Sequence, residues 1–211
     1  MHTFLWDGGT VYAADENPRC VLVYIASADR EDAEELSHAL KGGAPFALAL
    51  YAVEDWNTLS PWAVEDFPGG GQTTLQRLEA ALTSLPPAYA NLPVYIGGYS
   101  LAGLFALWAI HESRCFSGCA AVSGSFWYPG LVDYVKSAPL SPEAKIYLSL
   151  GKKEHKSRNA LMRTVNGCLN SLYEHYAPRC HCKLEWNEGN HFTEPMERMR
   201  KGFAWVMQDF L

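Results

Sequence analysis

Short, continuous apolar runs alternate along the chain with segments in which apolar residues recur every three or four positions. The apolar runs predict strands at residues 21–26, 46–53, 93–96, 119–123, 145–150 and 182–186. The periodic segments predict helices at residues 31–40, 73–85, 101–111, 157–175 and 193–210. Residues 3–14 predict one or two antiparallel edge strands. This alternation is typical of an α/β protein, with a mostly parallel central sheet and helices on both faces.

The composition is that of one globular domain. The chain has 211 residues, of which 48% are hydrophobic and 19% charged, and its formal net charge is −6. These values predict a single domain over residues 1–211. The negative charge argues against nucleic acid or an anionic membrane as a partner. Two short basic clusters, residues 152–153 and 198–201, are predicted to be solvated.

The first residues and the cysteines predict a cellular location. The N-terminal residues lack the basic and apolar segments of a signal peptide, and no apolar run reaches transmembrane length. Six cysteines spread over a chain of this size fit reduced, mostly buried thiols. We therefore expect a cytoplasmic protein.

One cysteine pair could supply metal ligands. Cys180-His181-Cys182 has suitable side chains, but a tetrahedral zinc site needs four ligands, and no second C-x-x-C or H-x-x-x-H pair is present. We expect the entrance of a strand at this position and no metal.

A serine lies at a predicted sharp turn between a strand and a helix. The segment Gly98-Tyr-Ser-Leu-Ala-Gly103 follows one apolar run and precedes the helical pattern of residues 101–111. Small residues on both sides of Ser100 are what a nucleophile elbow requires, because its strained backbone brings neighbouring residues close together. The alternative is an ordinary turn in which Ser100 caps the helix.

Three polar residues that could form a catalytic triad each follow a predicted strand. Ser100, Glu154 and His191 each come just after an apolar run, and functional groups gather beyond the carboxyl ends of parallel strands. Their order is the serine, acid and histidine order of α/β-hydrolases. An imidazole can take the serine proton, and a carboxylate can fix the imidazole tautomer. We predict that Ser100 is the nucleophile, His191 the base and Glu154 the orienting acid.

Other residues compete for the last two roles. Asp133 falls in a predicted helix, and Glu188 is close in sequence to His191. Four further histidines do not fall where the order requires: His111, His155, His175 and His181.

The oxyanion hole and the pocket can also be predicted. The N–H of Leu101, directly after the nucleophile, should be one oxyanion donor, and Ser27 or Ala28 should supply the other. Aromatic residues in loops at the same edge are candidates for the substrate pocket: Trp56, Trp62, Phe126, Trp127 and Tyr128. The first two belong to residues 54–72, a long irregular segment that we expect to be a lid or pocket wall.

Four motifs together resemble a known family. They are Gly98-Tyr-Ser-Leu-Ala-Gly103, Val122-Ser-Gly-Ser-Phe-Trp127, Leu148-Ser-Leu-Gly-x-x-Glu154 and Gly189-Asn-His191. The chain from about residue 21 onward resembles the esterase branch of the α/β-hydrolases that includes esterase D, enterochelin esterases and feruloyl esterases. The resemblance implies hydrolysis of carboxylic esters through an acyl-enzyme, with no cofactor. The chain departs from the family in its short length, its lack of a cap domain and its glutamate where an aspartate is common.

The expected function is therefore a serine esterase that acts on small carboxylic esters. The alternatives are acyl transfer on the same triad and a non-catalytic binding module that keeps the fold. The apolar residues of the final helix suit packing on the sheet and equally suit a homodimer interface.

Overall fold

The computed structural model describes residues 2–14, 17–27 and 32–210. In these residues eight strands form one sheet: β1 (His2–Trp6), β2 (Gly9–Ala13), β3 (Cys20–Ser27), β4 (Phe46–Val53), β5 (Val94–Tyr99), β6 (Gly118–Val122), β7 (Lys145–Gly151) and β8 (His181–Asn187). The helices are α1 (Asp32–Ala39), α2 (Gly71–Leu82), α3 (Leu101–Glu112), α4 (Leu131–Ser137), α5 (Val165–Tyr176) and α6 (Pro195–Val206). No helix in this part of the chain is long and apolar enough to cross a membrane.

The order of the strands places a crevice at one edge of the sheet. The order is β1-β2-β4-β3-β5-β6-β7-β8, with β3 to β8 parallel and the β1–β2 hairpin antiparallel at one side. The chain crosses from β3 to β4 on one side and then returns to place β5 on the other side of β3. Such a switch in direction opens a crevice at the carboxyl ends of the two central strands, where α/β proteins bind ligands. Ser27 and Tyr99 end those two strands.

Helices cover both faces of the sheet. Helices α1 and α6 pack on one face through residues such as Leu36 and Phe203, whereas α2, α3, α4 and α5 pack on the other. Helix α3 is buried along its length from Leu101 to Ile110, which explains its continuous apolar sequence. The predicted fold class, a mostly parallel sheet between two helical layers, is confirmed, and so are the predicted edge strands.

The predicted boundaries need two corrections. The helix predicted at residues 157–175 begins only at Val165, after a 3-10 turn at Met162–Thr164. Residues 157–161 instead form turns, because the Asn159 carboxamide oxygen accepts hydrogen bonds from the N–H groups of Leu161 and Met162. The last predicted helix begins at Pro195 and ends at Val206, followed by a 3-10 turn.

Candidate active site

Ser100 occupies a strained turn between β5 and α3. Its φ and ψ are 60° and −120°, which non-glycine residues rarely adopt. The turn is held by its backbone, because the Ser100 N–H donates to the Val122 carbonyl at 3.1 Å and its carbonyl accepts from Leu104 and Ser125. The side chain is thereby presented at the N-terminus of α3, partly exposed at the carboxyl edge of the sheet.

The glycine before this turn is required for steric reasons. A Cβ atom on Gly98 would lie 2.5 Å from the Cβ of Ala102 and 2.8 Å from its carbonyl carbon. Atoms at these distances overlap, so any larger residue at position 98 would push the strand away from the helix. The small-residue pattern from which the elbow was predicted therefore has a direct structural cause.

Ser100, His191 and Glu154 form one chain of hydrogen bonds. The distance from Ser100 Oγ to His191 Nε2 is 3.1 Å, and that from His191 Nδ1 to Glu154 Oε2 is 2.7 Å. An ionised carboxylate can only accept, so the Nδ1 proton is donated to Glu154 and Nε2 remains an acceptor for the serine hydroxyl. This is the tautomer that a general base needs.

The loop that carries His191 has a defined conformation. Gly189 adopts a φ of 85°, and a Cβ atom there would lie 2.3 Å from the Thr193 hydroxyl. The Asn190 side chain accepts a 2.9 Å hydrogen bond from the Phe192 N–H, and the Asn190 N–H donates to Thr193 Oγ1 at 3.1 Å. These contacts fix the turn in which His191 faces the serine.

Arg198 is a buried cation behind the acid and the histidine loop. It lies on α6 and is 1% exposed, so the prediction that residues 198–201 are all solvated is wrong for this residue. Its Nη1 donates to Glu154 Oε1 at 2.9 Å, and its remaining bonds reach four acceptors: the Tyr99 hydroxyl, Ser123 Oγ, and the carbonyls of Glu188 and Asn190. The guanidinium thus connects the acid to the backbone on both sides of Gly189.

The helical pattern of α6 indicated that Arg198 is buried, although Arg198 stands in a short basic cluster. Residues 199, 202, 203 and 206 form the buried stripe of α6, and Arg198 lies one turn before Gly202 on that same face. A charged residue at a buried helical position needs a partner of opposite charge. Glu154 is that partner.

Several contacts keep the Glu154 side chain ionised. Burial by itself raises the pKa of this carboxyl, but the hydrogen bonds from His191 and from the Gly151 N–H outweigh burial, and the net pKa lies below the usual value. The Gly151 N–H donates to Oε1 at 2.6 Å. A carboxylate that is charged at neutral pH can orient the imidazole and stabilise its protonated form.

Tyr99 and Ser123 are further residues at the site that sequence reasoning missed. The Tyr99 hydroxyl donates to the carbonyl of His191 at 2.6 Å, and burial raises the pKa of this phenol, so it remains a donor. Ser123 is fully buried at the end of β6, with a φ of 44° and its Oγ 2.9 Å from Arg198. Both residues fall within motifs quoted above, but their contacts with Arg198 and the His191 loop are tertiary, so the motifs alone did not assign them a role.

Two of the three residues predicted as oxyanion donors, Leu101 and Ser27, lie beside Ser100 or the cavity that it lines. Leu101 is the first residue of α3, so its N–H has no acceptor within its own helix and lies next to Ser100. Ser27, at the end of β3, lines a cavity together with Ser100. Ala28 lies outside the described residues.

Two cavities meet at Ser100. The first, which we call the lysine cavity, has a volume of about 370 Å³ and includes Lys153, Lys156 and Trp127 in its lining. The second, the Trp56 cavity, has a volume of about 330 Å³ and lies toward the ends of β3 and β5. Both also include His191 and Phe192. A larger cavity of about 570 Å³ lies near His111 and Pro139, away from Ser100. Its His111 is hydrogen-bonded to Pro139 and Tyr176, and its Ser113 to Glu79.

Only two of the five aromatic residues predicted for the pocket line these cavities. Trp56 and Trp127 do so, whereas Phe126 and Tyr128 are buried in the core and Trp62 donates its indole N–H to the Pro129 carbonyl at 3.0 Å. The prediction is therefore corrected for Trp62, Phe126 and Tyr128. Residues 54–70 form a packed wall that includes a 3-10 turn at Trp56–Leu59, and only Trp56 reaches the site.

The competing acids and histidines lie elsewhere. Asp133 is in α4, and Glu188 is exposed and paired with Lys152. His111 contacts Tyr176, and His155 contacts Asn166.

The described part of the chain offers no metal centre. Residues 2–14, 17–27 and 32–210 contain no group of three or more His, Cys, Asp or Glu side chains that could hold a metal ion. The Cys180–Cys182 segment is the entrance of β8, as predicted.

Comparison with known proteins reveals similarity of structure but no match of sequence. No protein-family model and no curated protein sequence matches the chain. The structure is similar to siderophore hydrolase EstB from Aspergillus nidulans, with a TM-score of 0.67, 17% identity and coverage of 99% of this chain and 94% of that one. It is also similar to the enterobactin esterase FES from Shigella flexneri (TM-score 0.69, 17% identity, 99% of this chain), of which it spans only 59%.

A third similar structure is that of a thioesterase. The acyl-protein thioesterase 2 of Zea mays has a TM-score of 0.59 and 17% identity, with coverage of 95% of this chain and 98% of that one. Together with the sheet order and the strained serine turn, these similarities show that the chain has the α/β-hydrolase fold, in a form similar to that of siderophore esterases.

Proposed function

We propose that the chain is a serine hydrolase that cleaves carboxylic esters through an acyl-enzyme. The observation that carries this proposal is the hydrogen-bonded chain from Ser100 Oγ through His191 to Glu154, with distances of 3.1 and 2.7 Å. Ser100 is then the nucleophile, His191 the general base and Glu154 the acid that orients it.

The residues support each step of such a reaction. His191 Nε2 accepts the proton as Ser100 Oγ attacks the ester carbonyl, and the imidazolium that results is stabilised by Glu154. The negative charge that develops on the carbonyl oxygen lies near the Leu101 N–H and the positive end of the α3 dipole. His191 returns its proton to the departing alcohol. It then activates a water molecule, which releases the acid from Ser100.

A non-catalytic module would not need this arrangement. It would be favoured by a serine inaccessible to substrate or by a histidine beyond hydrogen-bond distance. Ser100 is partly exposed and borders two cavities, and its hydroxyl lies 3.1 Å from the imidazole. These observations support catalysis.

Labelling and hydrolysis test the proposal together. A fluorophosphonate probe should modify the wild-type protein and not Ser100→Ala, and 4-nitrophenyl butyrate should be hydrolysed by the wild type alone. Ser100→Ala and His191→Ala should each lower kcat by about 10⁴-fold or more. A wild-type protein that is folded, unlabelled and inactive on short-chain esters would refute the proposal.

The acid assignment needs its own variant. Glu154→Gln keeps the size of the side chain but can no longer stabilise the imidazolium, and we expect kcat to fall on the order of 10³- to 10⁴-fold. Full activity in this variant, in a sample whose circular dichroism matches the wild type, would remove Glu154 from the triad without affecting Ser100 and His191.

A further inference from the structure

The two cavities at Ser100 differ in the side chains that line them. An ester bound with its carbonyl carbon at Ser100 Oγ places one substituent in each cavity, because both volumes begin at Ser100 and His191. Each volume, about 370 and 330 Å³, is large enough for a ring or a short alkyl chain. The lining of each cavity therefore selects one side of the ester.

Positive charge is concentrated beside the lysine cavity. Residues 152–163 contain five of the 17 lysine and arginine residues of the chain and a single acid, Glu154, in a protein whose net charge is −6. Local charge of one sign along a cleft attracts a ligand of the opposite sign. The remainder of the chain, being acidic, would repel the same ligand.

Lys153 and Lys156 are available to such a ligand. Both line the lysine cavity and both are exposed, and neither forms an ion pair with another residue in the described part of the chain. Glu154, the one acid within this basic segment, is already engaged by His191, Arg198 and the Gly151 N–H. Glu188, whose charge also interacts with Lys153, is exposed and is ion-paired with Lys152. Neither Lys153 nor Lys156 therefore has a carboxylate in direct contact with its ammonium group in the described part of the chain.

The same cavity has apolar walls. Trp127, Met162, Val165 and Phe192 line it, and Phe192 is 85% exposed although it is a large aromatic residue. Apolar walls with two unpaired cations at the rim suit a carbon frame that ends in an anionic group.

We infer that the substrate is an ester whose substituent in the lysine cavity carries a carboxylate or a similar anion, recognised by Lys153 and Lys156. This inference rests on the proposed esterase function. The anion would raise kcat/KM by improving binding of the substrate at the site, and it would take no part in the chemical steps at Ser100.

The experiment compares anionic esters with capped, neutral counterparts. Mono-4-nitrophenyl adipate and its methyl ester place the charge on the acyl side, whereas 4-(butyryloxy)benzoate and its methyl ester place it on the alcohol side. For each pair the ratio of kcat/KM, anionic over neutral, is measured in the wild type, in the double variant Lys153→Gln/Lys156→Gln, and in Lys136→Gln. The last variant removes an exposed lysine of α4 that lines neither cavity.

The ratio is compared between variants because the intrinsic reactivity of each ester then cancels. In one of the two series we expect the double variant to lower the ratio on the order of tenfold, with no change in Lys136→Gln. Added salt should lower the wild-type ratio in the same series, since these charges are exposed. A ratio that is the same in the double variant and the wild type in both series would overturn the inference, even if all four esters are hydrolysed. Loss of hydrolysis of every ester, with no fluorophosphonate labelling, would instead refute the proposed function and the inference with it.

Discussion

Arg198 Nη1 lies 2.9 Å from Oε1 of Glu154, the carboxylate oxygen that does not face His191. The guanidinium therefore binds one oxygen of Glu154 while the other, Oε2, accepts the hydrogen bond from His191 Nδ1. Its second nitrogen, Nη2, donates to the carbonyls of Glu188 and Asn190, which precede His191 in the chain. A single buried cation thus positions both Glu154 and the loop that carries His191.

Replacing Arg198 by lysine should lower kcat while leaving a folded protein. A lysine keeps the charge that Glu154 needs but has one nitrogen in place of the planar fork, so it cannot reach all five acceptors. We expect Arg198→Lys to reduce kcat for 4-nitrophenyl butyrate about 10- to 100-fold with little change in KM, because His191 and Glu154 shift relative to Ser100. Steady-state kinetics and the rate of fluorophosphonate labelling should fall in parallel.

The matched control is Arg200→Lys on the same helix. Arg200 forms a partly exposed ion pair with Glu197, and its hydrogen bonds do not reach Ser100, His191 or Glu154, so this variant should keep wild-type kcat. An Arg198→Lys protein with kcat within twofold of the wild type would show that the arginine has only a structural role.

Two glycine-to-alanine substitutions should have opposite effects on stability. The Cβ of Gly98→Ala would overlap Ala102 at the elbow, and we expect a loss of about 2–3 kcal/mol or more in the free energy of unfolding. Gly167 lies in α5, where an added Cβ would meet no neighbouring atom within 4 Å, so Gly167→Ala should stabilise the helix by about 0.5–1 kcal/mol. Urea unfolding of the two variants beside the wild type measures both changes. Equal stability of Gly98→Ala and the wild type would contradict the steric explanation of the elbow.

Substitution of Trp56 should weaken catalysis, whereas substitution of Trp62 should weaken stability. Trp56 lines the cavity next to Ser100, so Trp56→Ala should lower kcat/KM for 4-nitrophenyl butyrate about tenfold through the loss of apolar contact. Trp62 packs on Tyr128 and Tyr134 and does not reach the site, so Trp62→Ala should lower the melting temperature and leave kcat/KM unchanged in the folded protein. If Trp62→Ala instead lowered kcat/KM while Trp56→Ala only lowered the melting temperature, the substrate pocket would lie on the Trp62 side of residues 54–70.

Stability should decrease as the solution becomes mildly acidic, in part because of His111. Burial lowers the pKa of this imidazole, whose Nδ1 is 3.0 Å from the Pro139 carbonyl and whose Nε2 is 2.7 Å from the Tyr176 hydroxyl. A lowered pKa means that the unfolded chain takes up a proton more readily than the folded protein does. The stability that the neutral form contributes is therefore complete above about pH 6.5 and is lost as the pH falls through the lower, folded-state pKa.

Urea unfolding between pH 7.5 and 5 tests this coupling. His111→Gln should show a smaller loss of unfolding free energy over this range than the wild type, and His181→Gln, at an exposed position at the start of β8, should retain the wild-type slope. An unchanged slope in His111→Gln would exclude this histidine as a source of the acid sensitivity.

The order of apolar and amphipathic segments was enough to predict the α/β architecture. Parallel strands buried on both faces have continuous apolar sequences, such as residues 46–53, and the helices between them retain a helical period. The positions of Ser100, Glu154 and His191 beyond their strands are also local features, since each depends only on where an apolar run ends. The helix start predicted at residue 157 was wrong because hydrogen bonds from a single side chain, Asn159, replace the helical pattern there.

The tertiary structure decided which partners several side chains meet. Arg198 belongs to a short basic cluster in the sequence, but the packing of α6 on the sheet buries it against Glu154, 44 residues away in the chain. On the other face of the sheet, Trp56 lines a cavity at Ser100, whereas Trp62 packs on Tyr128 and is hydrogen-bonded to Pro129. Periodicity predicts which face of an element is buried, whereas the partner that a side chain meets depends on the distances between distant parts of the folded chain.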